Sequence, residues 1–159
     1  MDKKTKNHFK ALWSIICKNA SVDQQTNQLS IFNVLEEVSI NKTQSSALPG
    51  QETGHSQDKI LVPFEHSLVV LLERNISETE DEFISTLVIE IIDSENKVLI
   101  PSENQIKFET GKSRLRIIIT LNVFAATKPG VYTYKISEKR PDGSLEKKSD
   151  ISLNVKING

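Results

Sequence analysis

The sequence predicts an all-β protein, a two-sheet antiparallel β-sandwich of immunoglobulin-like or C2-like architecture. Three observations lead to this fold class. Apolar and polar residues alternate with a period of two along most of the chain, as in strands that place one face on a core. Turn-forming residues separate these alternating segments. The 159 residues show no linker-like break, which predicts one domain, 1–159, with enough chain for one core.

The first strand is predicted after a flexible tail formed by residues 1–9. Trp13, Ile15 and Cys17 share one parity, so we expect these three side chains to face the core. The short apolar run from Ala11 to Cys17 indicates this strand rather than a signal peptide or a lipoprotein leader, because no small-residue cleavage site follows it.

The second predicted strand changes its apolar parity at Asn33. Leu29 and Ile31 precede the change, and the later apolar positions are Phe32, Val34, Val38 and Ile40. Such a change predicts a bulge, or a strand that passes from one sheet to the other. Asparagine tolerates the left-handed conformation, so we expect a positive φ at Asn33. The spacing of Phe32, Leu35 and Val38 leaves a helix as the alternative.

The next segment, residues 41–59, predicts a long mobile loop. It is rich in Ser, Gln and Thr and contains Pro49, Gly50 and Gly54. A polar stretch of this length within a compact domain is typical of a functional or disordered loop.

Two strands are predicted in the middle of the chain, from Phe64 to Arg74 and from Phe83 to Asp93, because both segments alternate. The turn Asp93-Ser94-Glu95-Asn96 then predicts a hairpin to a short strand, Lys97 to Ile100. Pro101 should stop that strand, since proline has no N–H for a β-ladder. A further short strand is predicted from Gln105 to Glu109.

The last third predicts one long strand and a hairpin. From Ser113 to Phe124, the side chains of one parity should face the core, namely those of Leu115, Ile117, Ile119, Leu121 and Val123. Two more alternating segments flank Pro141-Asp142-Gly143. This tripeptide combines a fixed φ, a capping side chain and tolerance of positive φ, which predicts a tight turn.

Several short motifs carry a resemblance. The segment Trp13 to Val38 has a strand that ends in cysteine, followed by Leu29-Ser30-Ile31 and an interruption at Asn33. With Leu68 to Leu72, Ile89 to Asp93 and Pro129-Gly130-Val131-Tyr132, it resembles an uncharacterised bacterial family of small β-sandwich proteins, a domain of unknown function. That family has glycine at the place of Asn33. The resemblance implies a β-sandwich and no activity.

The motif Pro129-Gly130-Val131-Tyr132 is also similar to the tyrosine corner of immunoglobulin-like sandwiches. This similarity implies that Tyr132 anchors its hydroxyl to nearby backbone. Tyr134 would then point into the same interior. Both tyrosines are interpreted as structural residues.

Few residues are candidates for catalysis or nucleic-acid binding. A nucleophilic site would need Cys17 with His8, His55 or His66, but no local motif supports one, and a buried Cys17 and a core His66 are favoured. The basic residues near one connection indicate a charged outer face, because no aromatic residues for base stacking lie between them: Lys107, Lys112, Arg114 and Arg116.

Acidic residues near two turns raise the question of calcium, which prefers oxygen ligands. These residues are Glu78, Glu80, Asp81, Glu82, Asp93 and Glu95. Solvated acidic loops that discourage edge-to-edge aggregation are the favoured interpretation.

The composition limits the partners and the compartment. Lys+Arg number 20 and Asp+Glu 21, a net charge of −1, so no nucleic-acid partner is expected. No apolar segment could span a bilayer, so no membrane association is expected either. With one cysteine no intramolecular disulfide can form, which favours the cytoplasm.

The leading functional hypothesis is a non-enzymatic protein-interaction module that binds a protein partner or self-associates through open sheet edges. No catalytic residue, metal ligand or cofactor is predicted. Residues 41–59 could order on binding. The alternative is a calcium-assisted β-sandwich that binds a small ligand or a carbohydrate.

Overall fold

Strands dominate the computed structural model, which describes residues 8–41, 59–75, 77 and 81–159. Within those ranges the strands are β1 (Phe9–Val22), β2 (Leu29–Val34), β3 (Glu37–Asn41), β4 (Ile60–Arg74), β5 (Phe83–Ile92), β6 (Val98–Phe108), β7 (Arg114–Ala126), β8 (Gly130–Lys139) and β9 (Leu145–Asn158). In the same residues, no helix has the length and apolarity needed to cross a bilayer.

The strands form two sheets, which confirms the predicted two-sheet β-sandwich. One sheet has four strands in the order β2-β1-β4-β7, and the other has five in the order β3-β9-β8-β5-β6. One pairing departs from the antiparallel prediction, because β3 runs parallel to β9. The apolar inner faces meet in one cluster, in which Leu68 and Val70 of the first sheet join Leu87, Ile89 and Ile136 of the second.

Asn33 marks the point where the chain leaves the first sheet. Its φ is 54°, as predicted. The Leu35 amide still bonds to β1, at the Ile16 carbonyl, whereas the Glu36 carbonyl already accepts from Asn154 of β9. The predicted passage between sheets is therefore confirmed, and the helical alternative is wrong.

The first strand faces the other way from the prediction. Its pairing with β4 contains a bulge between Ala11 and Trp13, which shifts the alternation by one residue. Ile16 therefore enters the core cluster, while Trp13, Ile15 and Cys17, which were predicted to face the core, lie outside it. The predicted tail is also too long, because β1 begins at Phe9, which is buried; residues 1–7 lie outside the described ranges.

Pro101 does not end a strand, contrary to the prediction. It lies inside β6 and pairs with Glu90 of β5, so the two short strands predicted around it are one. This is possible because β6 is at the edge of its sheet, where a residue without an N–H loses no ladder partner on the open side.

The core face of β7 also changes phase near its end. Val123 pairs with Pro63, and Leu121 pairs with His66. Between these pairs β7 has one residue, Asn122, where β4 has two. Phe124 is consequently fully buried, and Val123, predicted to be in the core, is exposed. Ile117 and Ile119 pack against the core as predicted.

The two remaining loop predictions have different outcomes. β8 and β9 form the predicted hairpin, with Gly143 at φ 84° in its turn. The predicted loop 41–59 falls mainly on residues outside the described ranges, since Asn41 ends β3 and residues 42–58 are not described.

Candidate functional site

His66 lies inside the core, bonded at both ring nitrogens. Nδ1 donates to the Phe64 carbonyl at 2.9 Å, so Nε2 carries the lone pair and accepts from the Tyr134 hydroxyl at 2.8 Å. Burial lowers the pKa of His66, partly opposed by the bond to the Phe64 carbonyl, and burial raises the pKa of Tyr134. The pair is a satisfied core hydrogen bond, as predicted for His66, and neither group is exposed to a substrate.

Cys17 is buried, as predicted, and its surroundings do not activate it. Burial raises the pKa of its thiol, which keeps the sulfur in its less nucleophilic protonated form. His8 and His66 bond to other groups, and His55 lies outside the described residues.

Tyr132 makes the contacts expected of a tyrosine corner. Its hydroxyl donates to the Lys128 carbonyl at 2.8 Å and accepts from the Thr127 amide at 2.8 Å. The Thr127 hydroxyl also donates to the Asp93 carboxylate at 2.9 Å, which joins this corner to the β5–β6 turn. These contacts give Tyr132 a structural role, and the hydrogen bond to His66 does the same for Tyr134.

Three of the acidic residues considered for calcium, Asp93, Glu95 and Glu82, bond to other groups of the protein. Asp93 Oδ1 accepts from the amides of Glu95 and Lys97, and these bonds hold its pKa below the usual value although burial opposes ionisation. Glu95 and Glu82 form ion pairs with lysines. Glu78 and Glu80 lie outside the described residues, and among the described ones no group of three or more His, Cys, Asp or Glu could hold a metal ion.

The basic residues near β7 do not form one patch. Lys107 pairs with Glu82, and Arg114 pairs with Glu73. Arg116 donates to the Asn27 carbonyl at the tip of the β1–β2 hairpin. These acidic and carbonyl acceptors reduce the positive potential that a phosphate backbone would require.

An ion cluster that the sequence analysis missed closes one end of the sandwich. The Glu138 carboxylate is 1% exposed and accepts from Ser85 and His8 at 3.0 Å, and the Lys148 ammonium lies 3.0 Å from it. Burial opposes ionisation of Glu138, but the bonds from Lys148 and His8 lower its pKa overall. Arg140 lies nearby and pairs with Glu146.

A shallow cleft of 390 Å³ opens beside this cluster, with His8, Phe83 and Lys139 in its wall. Its charges compensate one another within the protein, since Lys139 pairs with Glu103 and Arg140 with Glu146. The charged groups of this cluster therefore lie between the two sheets and pair with one another.

The sheet edges differ in how well they are protected against a further strand. β2 has only six residues and contains the left-handed Asn33 one residue before its end, and β3 has only five residues. β6 is longer but contains Pro101 and the charged Glu103 and Lys107. Short edges, prolines and charges are the usual means of preventing edge pairing.

β7 lacks these protections over most of its length. It has 13 residues, pairs only with β4 among the described strands, and contains neither proline nor glycine. Its charges are confined to Arg114 and Arg116, and the segment from Ile117 to Ala126 is uncharged. The open side of β7 is thus the longest edge among the described strands, and its register is uninterrupted from Arg114 to Leu121, where an extended chain could add backbone hydrogen bonds.

The fold and this edge define the chain as a two-sheet β protein with one unprotected edge strand. No protein-family model matches the chain, and the comparison with curated proteins yields no match. The solved C-terminal domain of wzt is similar at 12% identity over 96% of this chain and 75% of its own, with a TM-score of 0.49.

The PmoD soluble domain from Methylocystis sp. ATCC 49242 (Rockwell) is similar at 11% identity over 92% of this chain and 96% of its own, with a TM-score of 0.31. At these scores neither likeness bears on function. The fold assignment therefore rests on the strand pairing of this chain.

Proposed function

We propose that the chain is a protein-interaction module that recruits an extended segment of a partner protein as an added strand on β7. The single observation that supports this function is the length of the open β7 edge, whose pairing with β4 is uninterrupted from Arg114 to Leu121. A bound strand would complete the backbone hydrogen bonds of β7, each with a net contribution of about 0.5–1.5 kcal/mol.

Side chains would add specificity to this pairing. Ile118 lies on the outer face of β7, while Ile117 and Ile119 pack against the core cluster on the other face. A partner segment that alternates in the same way would extend the apolar inner face of the sheet. Partner segments should therefore be β-branched and weakly charged in their centre.

Two finer assignments belong to the same proposal. A cytoplasmic location is consistent with the one buried and unactivated thiol, Cys17, and an immunoglobulin-like affiliation is supported by the contacts of Tyr132; a bacterial source is implied only by the family resemblance. Neither is needed for strand addition at β7.

The test is selection of binders from a displayed library of random peptides, with the full chain as bait. The variant Thr120→Lys/Asn122→Lys places two charges on the exposed outer face of β7, as protected natural edges do. Gln105→Lys places one charge at an exposed position of the β6 edge and serves as the control. Circular dichroism and thermal melts confirm that both variants fold.

Peptides that bind the wild type and Gln105→Lys, lose affinity for the β7 variant and slow amide exchange in β7 would support the proposal. Peptides that bind all three proteins equally, or that slow exchange elsewhere, would contradict it.

A further inference from the structure

The outer face of the four-stranded sheet carries a surplus of positive charge where β7 begins. Glu73 of β4 follows Leu72 of the core cluster, so its side chain lies on the outer face, opposite Lys10 of β1 and Arg114 of β7. One of its carboxylate oxygens lies 3.0 Å from Arg114 Nε, and the other lies 3.2 Å from Lys10 Nζ. Both oxygens of Glu73 are therefore used by these two cations.

Arg116, the next outer-face residue of β7, has no carboxylate partner among the described residues. It lies opposite the apolar Leu71 of β4. Its Nη1 donates to two oxygens of Asn27, the backbone carbonyl at 3.3 Å and the side-chain carbonyl at 3.5 Å. Its Nε is buried without an acceptor in the described part of the chain. Carbonyl oxygens carry no net charge, so the guanidinium forms no ion pair within these residues.

The charge on β7 is thus confined to one end of the open edge. From Ile117 to Ala126 the strand has no charged residue, and its inner-face side chains as far as Leu121 are apolar. An added antiparallel strand would place one side chain opposite each outer-face residue, with Cβ atoms about 4.5–5.5 Å apart. At Arg116 this distance lets a carboxylate form a charge-assisted hydrogen bond with the guanidinium, whereas a second cation would be repelled.

From this distribution of charge, which rests on the proposed strand addition at β7, we infer that the recruited segment has an aspartate or glutamate opposite Arg116. It is uncharged opposite Ile118 and the residues that follow. The partner is therefore an amphipathic strand that is apolar at alternate positions and acidic at one end. β7 itself contains no acidic residue, so its own sequence does not meet this description.

The first test compares the peptides selected from the displayed library by the wild-type chain and by Arg116→Glu. We expect the wild type to enrich aspartate or glutamate at one position beside alternating apolar residues, and the variant to enrich lysine or arginine at that position. Lys10→Glu is the matched control, because it makes the same change of net charge on the same face, two strands away from β7. It should select the same acidic peptides as the wild type.

The second test titrates one selected peptide, and the same peptide with its acid replaced by glutamine, into the wild-type chain. We expect this replacement to raise the Kd by about 1.5- to 5-fold, as for a cross-strand ion pair. Arg116→Lys should keep the difference between the two peptides, and Arg116→Gln should remove it. Thermal melts of the variants confirm that they fold.

Peptides that slow amide exchange in β7 but show no preference for an acid would overturn this inference and leave the proposed function intact. A preference that Lys10→Glu changes as much as Arg116→Glu would also overturn it, because the cause would be net charge and not a pair with Arg116. A library that yields no peptide bound at β7 would contradict the proposed function, and this inference with it.

Discussion

The Tyr134 hydroxyl donates to Nε2 of His66 over 2.8 Å, and this bond joins the two sheets through the middle of the core. Its second consequence is to hold the imidazole neutral. Nδ1 donates to the Phe64 carbonyl, and the lone pair of Nε2 already accepts from Tyr134, so a proton added to Nε2 would break that bond. A histidine in this state is part of the scaffold. The core can therefore be tested independently of the proposed interaction edge.

Replacing Tyr134 by phenylalanine should destabilise the fold by about 1–3 kcal/mol, because it leaves the buried Nε2 of His66 without a donor. Urea denaturation of the variant measures the loss. In a double-mutant cycle with His66→Leu, the loss from Tyr134→Phe should become smaller. Equal losses in both backgrounds would show that the bond contributes no coupling energy.

The stability of the fold should fall on mild acidification because of His66. Burial lowers its pKa in the folded state below the ordinary 6.5, so between the two values the unfolded chain binds a proton that the folded chain does not. The stabilising effect is complete above pH 6.5 and is lost as the pH falls below it.

Denaturation measured between pH 7 and pH 5 checks this effect, since roughly that range covers the ordinary pKa of histidine. His66→Gln should flatten the slope there. The lowered pKa of Glu138 affects stability only as the pH falls below 4.5, so it does not change the slope between pH 7 and pH 5. An identical slope in wild type and His66→Gln would refute the assignment.

Glu138→Gln should cost about 1.5–3 kcal/mol, since it removes the buried carboxylate that Lys148, Ser85 and His8 contact, while Glu146 still pairs with Lys148. The matched control is Glu103→Gln, which breaks an exposed pair with Lys139 and should cost at most about 1 kcal/mol. Chemical denaturation of both variants makes the comparison. Similar small losses would mean that the Glu138 cluster is as weak as a surface pair.

At Asn33, substitution by valine should destabilise the fold by roughly 1–2 kcal/mol or more, whereas glycine should be neutral or slightly stabilising. The reason is the φ of 54°, which a β-branched residue adopts with strain. Thermal unfolding of the two variants gives the ranking. If valine were tolerated as well as glycine, the sheet crossover would not depend on that conformation.

Features with a local cause could be predicted from the sequence. The positive φ of Asn33 follows from a parity change at a residue that tolerates it, and the β8–β9 hairpin follows from Pro141-Asp142-Gly143. The hydroxyl contacts of Tyr132 likewise follow from a short motif at a strand start. Each of these depends on residues close together in the chain.

The errors have causes that lie elsewhere in the fold. Whether Pro101 ends a strand depends on β6 being an edge, which is set by the order of the whole sheet. The face of the sheet on which Trp13 lies depends on a bulge in the β1–β4 pairing, which the sequence of β1 alone does not reveal. A charged residue such as Glu138 gives no sign of burial, because its partner Lys148 is brought to it by the β8–β9 pairing.

The same reasoning applies to the candidate edge. The alternation of β7 predicted a half-buried strand, but its position at the edge of the four-stranded sheet depends on where β4 and β1 pair. The sequence predicted open sheet edges but not which strands form them. β7 could be selected only after the edge strands of both sheets were compared.

Amide hydrogen exchange tests most directly whether β7 is the recruiting edge. The full chain is compared with and without a selected peptide, and exchange is followed in β7 and in β6. We predict slower exchange from Leu115 to Leu121 when the peptide is bound and no change in β6. Protection confined to any other segment, with β7 exchanging as fast as before, would contradict the account.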